Sequence, residues 1–231
     1  MKNMKSLVMM MFVAMLVLVG CGADGSIKEM SGEDLVKNNS DKNKDKMLLI
    51  DVRPQEEYLA GHIPHAINIF IDDLEARLSE IEDYKNEPVV LYCNSGNKSG
   101  KAAEILVENG FTDVTNAEGV KDFSYNLVTY ADIRGAELEE LVKTTEDIVL
   151  VDTRPVKDVN ETGMIEGAIN IPFDEVQQHL NQLPKDKIIL LYCSTGTKSA
   201  NVAQELVELG YTKVINSIDG VKEYDFANLK K

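Results

Sequence analysis

Leu91-Tyr92-Cys93-Asn94-Ser95-Gly96-Asn97-Lys98-Ser99 returns further along the chain as Leu191-Tyr192-Cys193-Ser194-Thr195-Gly196-Thr197-Lys198-Ser199. Sliding residues 91–114 by 100 positions gives 13 identities in 24. Upstream, MLLIDVRP (47–54) recurs as IVLVDTRP (148–155), and GHIPHAINI (61–69) as GMIEGAINI (163–171). A period near 100 is the size of a whole domain rather than of a solenoid unit, so the pattern reads as duplication into two similar domains. The boundary is expected near Asn126 to Tyr130, with a first domain at 27–128 and a second at 129–231.

Within each repeat, short apolar runs alternate with helical patterns. Met47 to Val52, Pro88 to Tyr92, Val114, Ile148 to Val151 and Lys187 to Tyr192 read as strands. Unbroken Val/Ile/Leu runs of this kind suit a parallel sheet covered on both faces. Ile71 to Glu82 reads as a helix, and so does Ser99 to Asn109, which opens on a serine and stops at Gly110; Ser199 and Gly210 repeat that pair. The fold class that follows is α/β: two tandem doubly wound domains, each around a parallel central sheet. Ligands of such sheets bind beyond the carboxyl ends of the strands.

Both cysteines occupy that position. Each ends a strand, and a five-residue loop then leads into a helix. A tight strand-to-helix loop turns its backbone N–H groups inward and forms an anion nest, while the helix N-terminus adds positive potential. Gly96 and Gly196 allow the backbone angles of a small ring. A cysteine held there has a depressed pKa and the character of a thiolate, and Lys98 and Lys198 add local positive charge. A buried, inert cysteine at a strand end is the alternative for either copy taken alone. A Cys93–Cys193 disulfide would require two equivalent loops to face one another within bonding distance, which two separately folded repeats do not favour. His62, His65 and His179 show no ligand spacing with the cysteines, so no metal is expected. Phe123, Tyr125, Tyr224 and Phe226 read as core aromatics.

These segments together resemble the rhodanese family: the Asp-x-Arg pairs Asp51/Arg53 and Asp152/Arg154, the GHIPHAINI stretch, and the cysteine loops. The resemblance covers nearly all of both repeats. It implies a sulfurtransferase in which Cys93 and Cys193 attack the outer sulfur of a small anionic donor such as thiosulfate, become persulfides, and pass that sulfur to cyanide or a thiol. Residues Asn94 to Ser99 and Ser194 to Ser199 would cradle the anion. Asp51, Arg53 and Glu57 would form a structural ion pair with a loop-positioning role, as would Asp152 and Arg154. The family's phosphatase-type relatives use a longer loop, so sulfur chemistry is favoured over phosphorus. Two departures bear on this. Lysine stands where many members carry arginine, and a point charge lacks the bidentate fork. The second repeat has Met164 and Glu166 in place of His62 and Pro64, and a carboxylate near the pocket would disfavour anions, which favours the first domain as the better catalyst. A persulfide carrier or thiol-redox relay with little turnover of its own is the rival reading.

The remainder concerns location. Lys2 and Lys5 precede an uncharged apolar run, Leu7 to Val19, too short to span a bilayer, and the segment reads as an export signal at 1–20. Leu18-Val19-Gly20-Cys21 resembles the lipobox of bacterial lipoproteins, implying cleavage before Cys21, lipidation of its thiol and a membrane-anchored extracytoplasmic protein; an ordinary signal peptide with a chance cysteine is the alternative. More than one acyl chain is needed for stable anchoring. Residues 22–46, rich in polar residues with a short helical pattern at Ser31 to Lys37, read as a tether leading into the first domain. The net charge of −15 repels phosphate backbones, so nucleic acid is not an expected partner. No cofactor is called for.

Overall fold

The computed structural model describes residues 26–230. The expected signal peptide and the Cys21 lipidation site lie outside them. The first repeat runs β1 (Lys28–Met30), α1 (Gly32–Asn38), β2 (Leu48–Asp51), α2 (Gln55–Leu59), β3 (Ala66–Asn68), β4 (Pro88–Tyr92), α3 (Asn97–Glu108) and β5 (Asp113–Ala117). The second runs β6 (Ala131–Ile133), α4 (Gly135–Thr144), β7 (Ile148–Asp152), α5 (Val156–Thr162), β8 (Met164–Ile165), β9 (Ile169–Asn170), β10 (Ile188–Tyr192), α6 (Thr197–Glu208), β11 (Val214–Ser217) and β12 (Leu229–Lys230). Each repeat builds a five-stranded, all-parallel sheet, in the orders β1-β5-β4-β2-β3 and β6-β11-β10-β7-β9.

Strand periodicity explains why the apolar runs are continuous. In β4, Val89 and Leu91 enter one core cluster, while Val90 and Tyr92 enter the cluster on the opposite face. In β10, Ile189 and Leu191 are divided from Leu190 and Tyr192 in the same way. Successive side chains point to opposite faces, and both faces are covered, so every position is apolar. The cysteine loops leave the carboxyl ends of these central strands.

Three local expectations are revised. The segment 71–84 is not an α-helix but 3₁₀ turns, Ile71–Asp73 and Glu75–Tyr84. Its apolar residues Ile71, Leu74, Leu78, Ile81 and Tyr84 all pack on one core cluster. Most of them are three apart, the spacing that aligns side chains when a helix has three residues per turn. The helices after the cysteine loops start at Asn97 and Thr197, two residues earlier than expected, because Gly96 and Gly196 stand before them in the left-handed region (φ 78° and 70°). The described part of the segment read as a tether carries β1 and α1, and β1 hydrogen-bonds to β5 as a strand of the first sheet. Among the described residues, no helix is long and apolar enough to cross a membrane.

The repeats meet along the β3 and β6 edges. Tyr58 bridges them: its hydroxyl donates to Ala66 O (2.9 Å) and accepts from Asp132 N (2.8 Å). His65 N donates to Asp132 Oδ2 at 2.8 Å. His62, fully buried, stacks on Tyr58 at 3.7 Å and pairs antiparallel with Val128. In the second repeat Met164 and Glu166 stand at the places of His62 and Pro64, and there β8 pairs with β12. Glu166 forms an exposed ion pair with Lys230 (2.6 Å). It borders Ile148 and Leu150 near the amino end of β7, the end of the sheet away from the cysteine loop, so the expected repulsion of anions by this residue has no structural basis.

Candidate active site

Cys93 is 2% exposed and Cys193 1%, each at the floor of its loop. Neither forms a disulfide. Burial alone would push the Cys93 thiol up. The Ser99 hydroxyl and the backbone N–H groups of Ser99, Ser95 and Lys98 outweigh that penalty, and the thiol lies below its ordinary value. The donors are the free amides of the loop and of the first turn of α3, which have no partner within the helix. The ring expected from the sequence is therefore present around Cys93, with Ser95, Lys98 and Ser99 as its main-chain donors.

Ser99 does more than supply a backbone amide. Its Oγ lies 3.4 Å from Cys93 Sγ, 3.2 Å from Gly96 O and 2.7 Å from Asn116 Oδ1. One hydroxyl proton serves three acceptors, so ionisation of the sulfur redirects it. Ser199 repeats the contact, 3.5 Å from Cys193 Sγ and 2.8 Å from Gly196 O. Sequence reading took these serines as the openings of helices; they lie inside the first turn and face the sulfur. Replacing Ser99 with alanine should slow alkylation of Cys93 at neutral pH by roughly tenfold, since a hydrogen bond to a charged acceptor contributes about 1.5 kcal/mol. Iodoacetamide kinetics followed by site-resolved mass spectrometry would measure it.

The remaining loop residues occupy distinct places. Asn94 donates to Glu57 Oε2 at 2.7 Å, which takes Glu57 out of the expected Asp51–Arg53 group and puts it at the loop mouth. Asn97 contacts Ser95 at 3.4 Å. The ammonium groups of Lys98 and Lys198 are drawn to aromatic faces, 5.5 Å from the Phe70 ring and 3.9 Å from the Phe173 ring. Thr197 turns back on Thr195 O through its N–H (2.8 Å), and Ser194 and Thr195 are half-buried.

Asp51 and Arg53 form a buried ion pair, with Arg53 Nη2 on Asp51 Oδ2 at 2.6 Å and on Gly61 O at 2.7 Å. Burial works against the guanidinium, and Asp51 outweighs it, so Arg53 stands above its ordinary pKa. Asp152 and Arg154 repeat the pair, with Arg154 reaching Gly163 O. Asn68 and Asn170 donate to the carbonyls of both partners in their own repeat. These residues tie the β2 and β7 ends to the 61–63 and 163–165 turns. They do not touch the cysteines.

Sequence reading missed the turn that backs each loop. Val120 N and Lys121 N donate to Cys93 O and Asn94 O at 3.0 and 2.9 Å; Val221 N and Lys222 N do the same for Cys193 O and Ser194 O at 3.0 and 3.1 Å. A Cβ on Gly119 or Gly220 would overlap the loop backbone. The signal was available as a further repeat, Glu118-Gly119-Val120-Lys121 and Asp219-Gly220-Val221-Lys222. Of the four aromatics that follow, Phe226 is buried, while Phe123, Tyr125 and Tyr224 are half-buried; Phe123 lies on Gly32 and Tyr224 on Gly135.

Comparison with known proteins finds relatives of both repeats. The model of the rhodanese-like domain matches residues 33–123 and again 135–227. The thiosulfate sulfurtransferase PspE of Escherichia coli (strain K12) is 45% identical over 75 residues, 32% of this chain and 72% of that protein. A protein named sulfurtransferase from Allochromatium vinosum is 30% identical over 90 residues, 39% of this chain and 83% of its own length. A solved structure described as a rhodanese with anions from E. coli is 43% identical, covering 36% of this chain and 96% of that one, with a TM-score of 0.33. With two matched segments spanning most of its length, each holding one cysteine loop, the chain belongs to the rhodanese-like domain family.

Proposed function

We propose that this protein is a sulfurtransferase that moves sulfane sulfur through persulfides on Cys93 and Cys193. The observation that carries the reading is the Cys93 sulfur, held below its ordinary pKa by three main-chain amides and the Ser99 hydroxyl at the mouth of α3. A thiolate so placed attacks the outer sulfur of a donor such as thiosulfate. The S–S bond of the donor breaks, sulfite leaves with the bonding pair, and the cysteine keeps the sulfur as a persulfide. The same amides then face the persulfide anion, which an incoming cyanide or thiolate attacks at its outer sulfur, returning the cysteine thiolate. The relatives named as sulfurtransferases support this assignment.

The compact loop limits what can enter. Both cysteines are almost fully covered, so only the small outer atom of a donor reaches the floor of the ring. We also propose that the mature chain begins at a lipidated Cys21 and acts at an extracytoplasmic membrane face, on the strength of the apolar 7–19 segment and the Leu18-to-Cys21 sequence. Intact-mass analysis tests the catalytic proposal. Reduced protein treated with thiosulfate or polysulfide should gain one sulfur per reactive cysteine and lose it on addition of cyanide. A gain that only thiols remove, with negligible turnover, would favour the carrier reading; no gain with any donor would end both.

A further inference from the structure

The two loops differ in what stands behind them. In the second repeat, Ile218 is fully buried in the core cluster of the first domain. Its carbonyl lies so close to Gly196 that a Cβ there would collide with it. Two residues on, Gly220 is packed against Ser194 and Thr195, and its N–H donates to Glu223 Oε2 at 3.1 Å. That carboxylate also receives the ammonium of Lys44, from the first domain, at 2.9 Å. Lys44 is a long cation with a side chain only 1% exposed, and it bridges Glu223 to Asp45 at 2.7 Å. Arg134 holds Asp219, the neighbouring carboxylate, at 2.8 Å and lies 5.9 Å over Tyr84 of the first domain.

The first repeat has the same turn without the brace. Glu118 and Asp122 stand where Asp219 and Glu223 stand in the second. Glu118 accepts from Gly32 N just as Asp219 accepts from Gly135 N. Among the described residues, neither Glu118 nor Asp122 has an ion-pair partner, and both line an open cavity beside Ser95, Gly96 and Asn97. A buried lysine is retained only where its charge is compensated. Asp45 supplies one part of that compensation here, and Glu223, on the turn that carries the Cys193 loop, supplies the other.

We propose that the first domain completes the Cys193 site, with Lys44 as the positioning residue that fixes the 218–223 turn and, through it, the ring around Cys193. This rests on the reading of Cys193 as a sulfur-carrying nucleophile, but its test does not. Alkylation reports the loop whether or not the thiol carries sulfur, and Cys93 in the same molecule serves as the reference.

In the full chain, Lys44→Met should slow iodoacetamide alkylation of Cys193 by roughly two- to thirtyfold, the range for coupling through a packed contact. Cys93 should keep its rate. Amide exchange across 194–199 should rise while 94–99 stays as in the wild type, and Lys44→Arg, which restores a buried cation, should recover most of the Cys193 rate. Glu223→Gln, which keeps an acceptor for Gly220 but removes the charge pair, should slow Cys193 in the same way and decides the matter if Lys44→Met does not fold. The proposal is overturned if the Cys193 rate is unchanged in the folded variants, or if both cysteines slow together. Failure of Lys44→Arg to restore the rate overturns it as well. Absence of sulfur transfer alongside a Lys44-dependent Cys193 rate would refute the enzymatic reading and leave this one standing.

Discussion

Serine at both Cys93 and Cys193 is expected to abolish sulfur transfer, reducing the rate by about a thousandfold or more. A serine hydroxyl in the same ring lacks the ionisation and the polarisable sulfur on which the covalent step depends, and removal of a covalent nucleophile produces losses of this order or greater. The single variants separate the repeats. Wild type should take up two sulfurs, each single variant one, and the double variant none. Cys93→Ser is expected to have the larger effect where the donor reaches an open loop, because the first loop borders an open cavity at Ser95, Gly96 and Asn97, while Gly196 of the second is packed against Ile218. Transfer that persists in the double variant would remove the cysteines from the mechanism.

The second large effect concerns stability. Asp51→Ala should destabilise the first domain by about 3–5 kcal/mol, because it leaves the Arg53 guanidinium buried and uncompensated. Asp51 is fully buried and takes Arg53 through Nε and Nη2 as well as through its backbone N–H. Nor is the loss local to the pair, since Arg53 also holds the Gly61 carbonyl and so the turn carrying His62, which packs against Tyr58 at the domain junction. Asp152→Ala should have the same effect in the second domain. Chemical denaturation, followed domain by domain, would measure both, and a loss below about 1 kcal/mol would show the pair to be dispensable, as exposed pairs are.

The repeat carried much of the fold. Runs such as Pro88 to Tyr92 and Ile188 to Tyr192 are apolar at nearly every position, and only a sheet buried on both faces accounts for that. The cysteine loops were legible for a related reason, since a cysteine, a glycine and a helix start at fixed spacing admit few geometries. What stayed hidden depends on contacts between distant segments. Glu57 reads as a partner for Arg53 because they are near in sequence, yet it binds Asn94 across the site. Lys44 looks like one cation in a solvated run of charges, yet it is buried and pairs with Glu223 of the second domain as well as with Asp45. Lys98 and Lys198 read as anion ligands, and the places of their ammonium groups, 5.5 Å from the Phe70 ring and 3.9 Å from the Phe173 ring, depend on residues far away in sequence. The 3₁₀ course of 71–84 was also beyond the pattern, because a handful of apolar residues three and four apart fits either helix.

The ionisation of Cys93 in the folded protein is the most direct test. Alkylation rate measured against pH should rise through a midpoint below the ordinary thiol value of about 8.5, because the thiolate is the reacting form and the ring stabilises it. Lowering the pH through that midpoint should quench the reaction. A midpoint at or above the ordinary value, or a sulfur that reacts only after denaturation, would contradict the account.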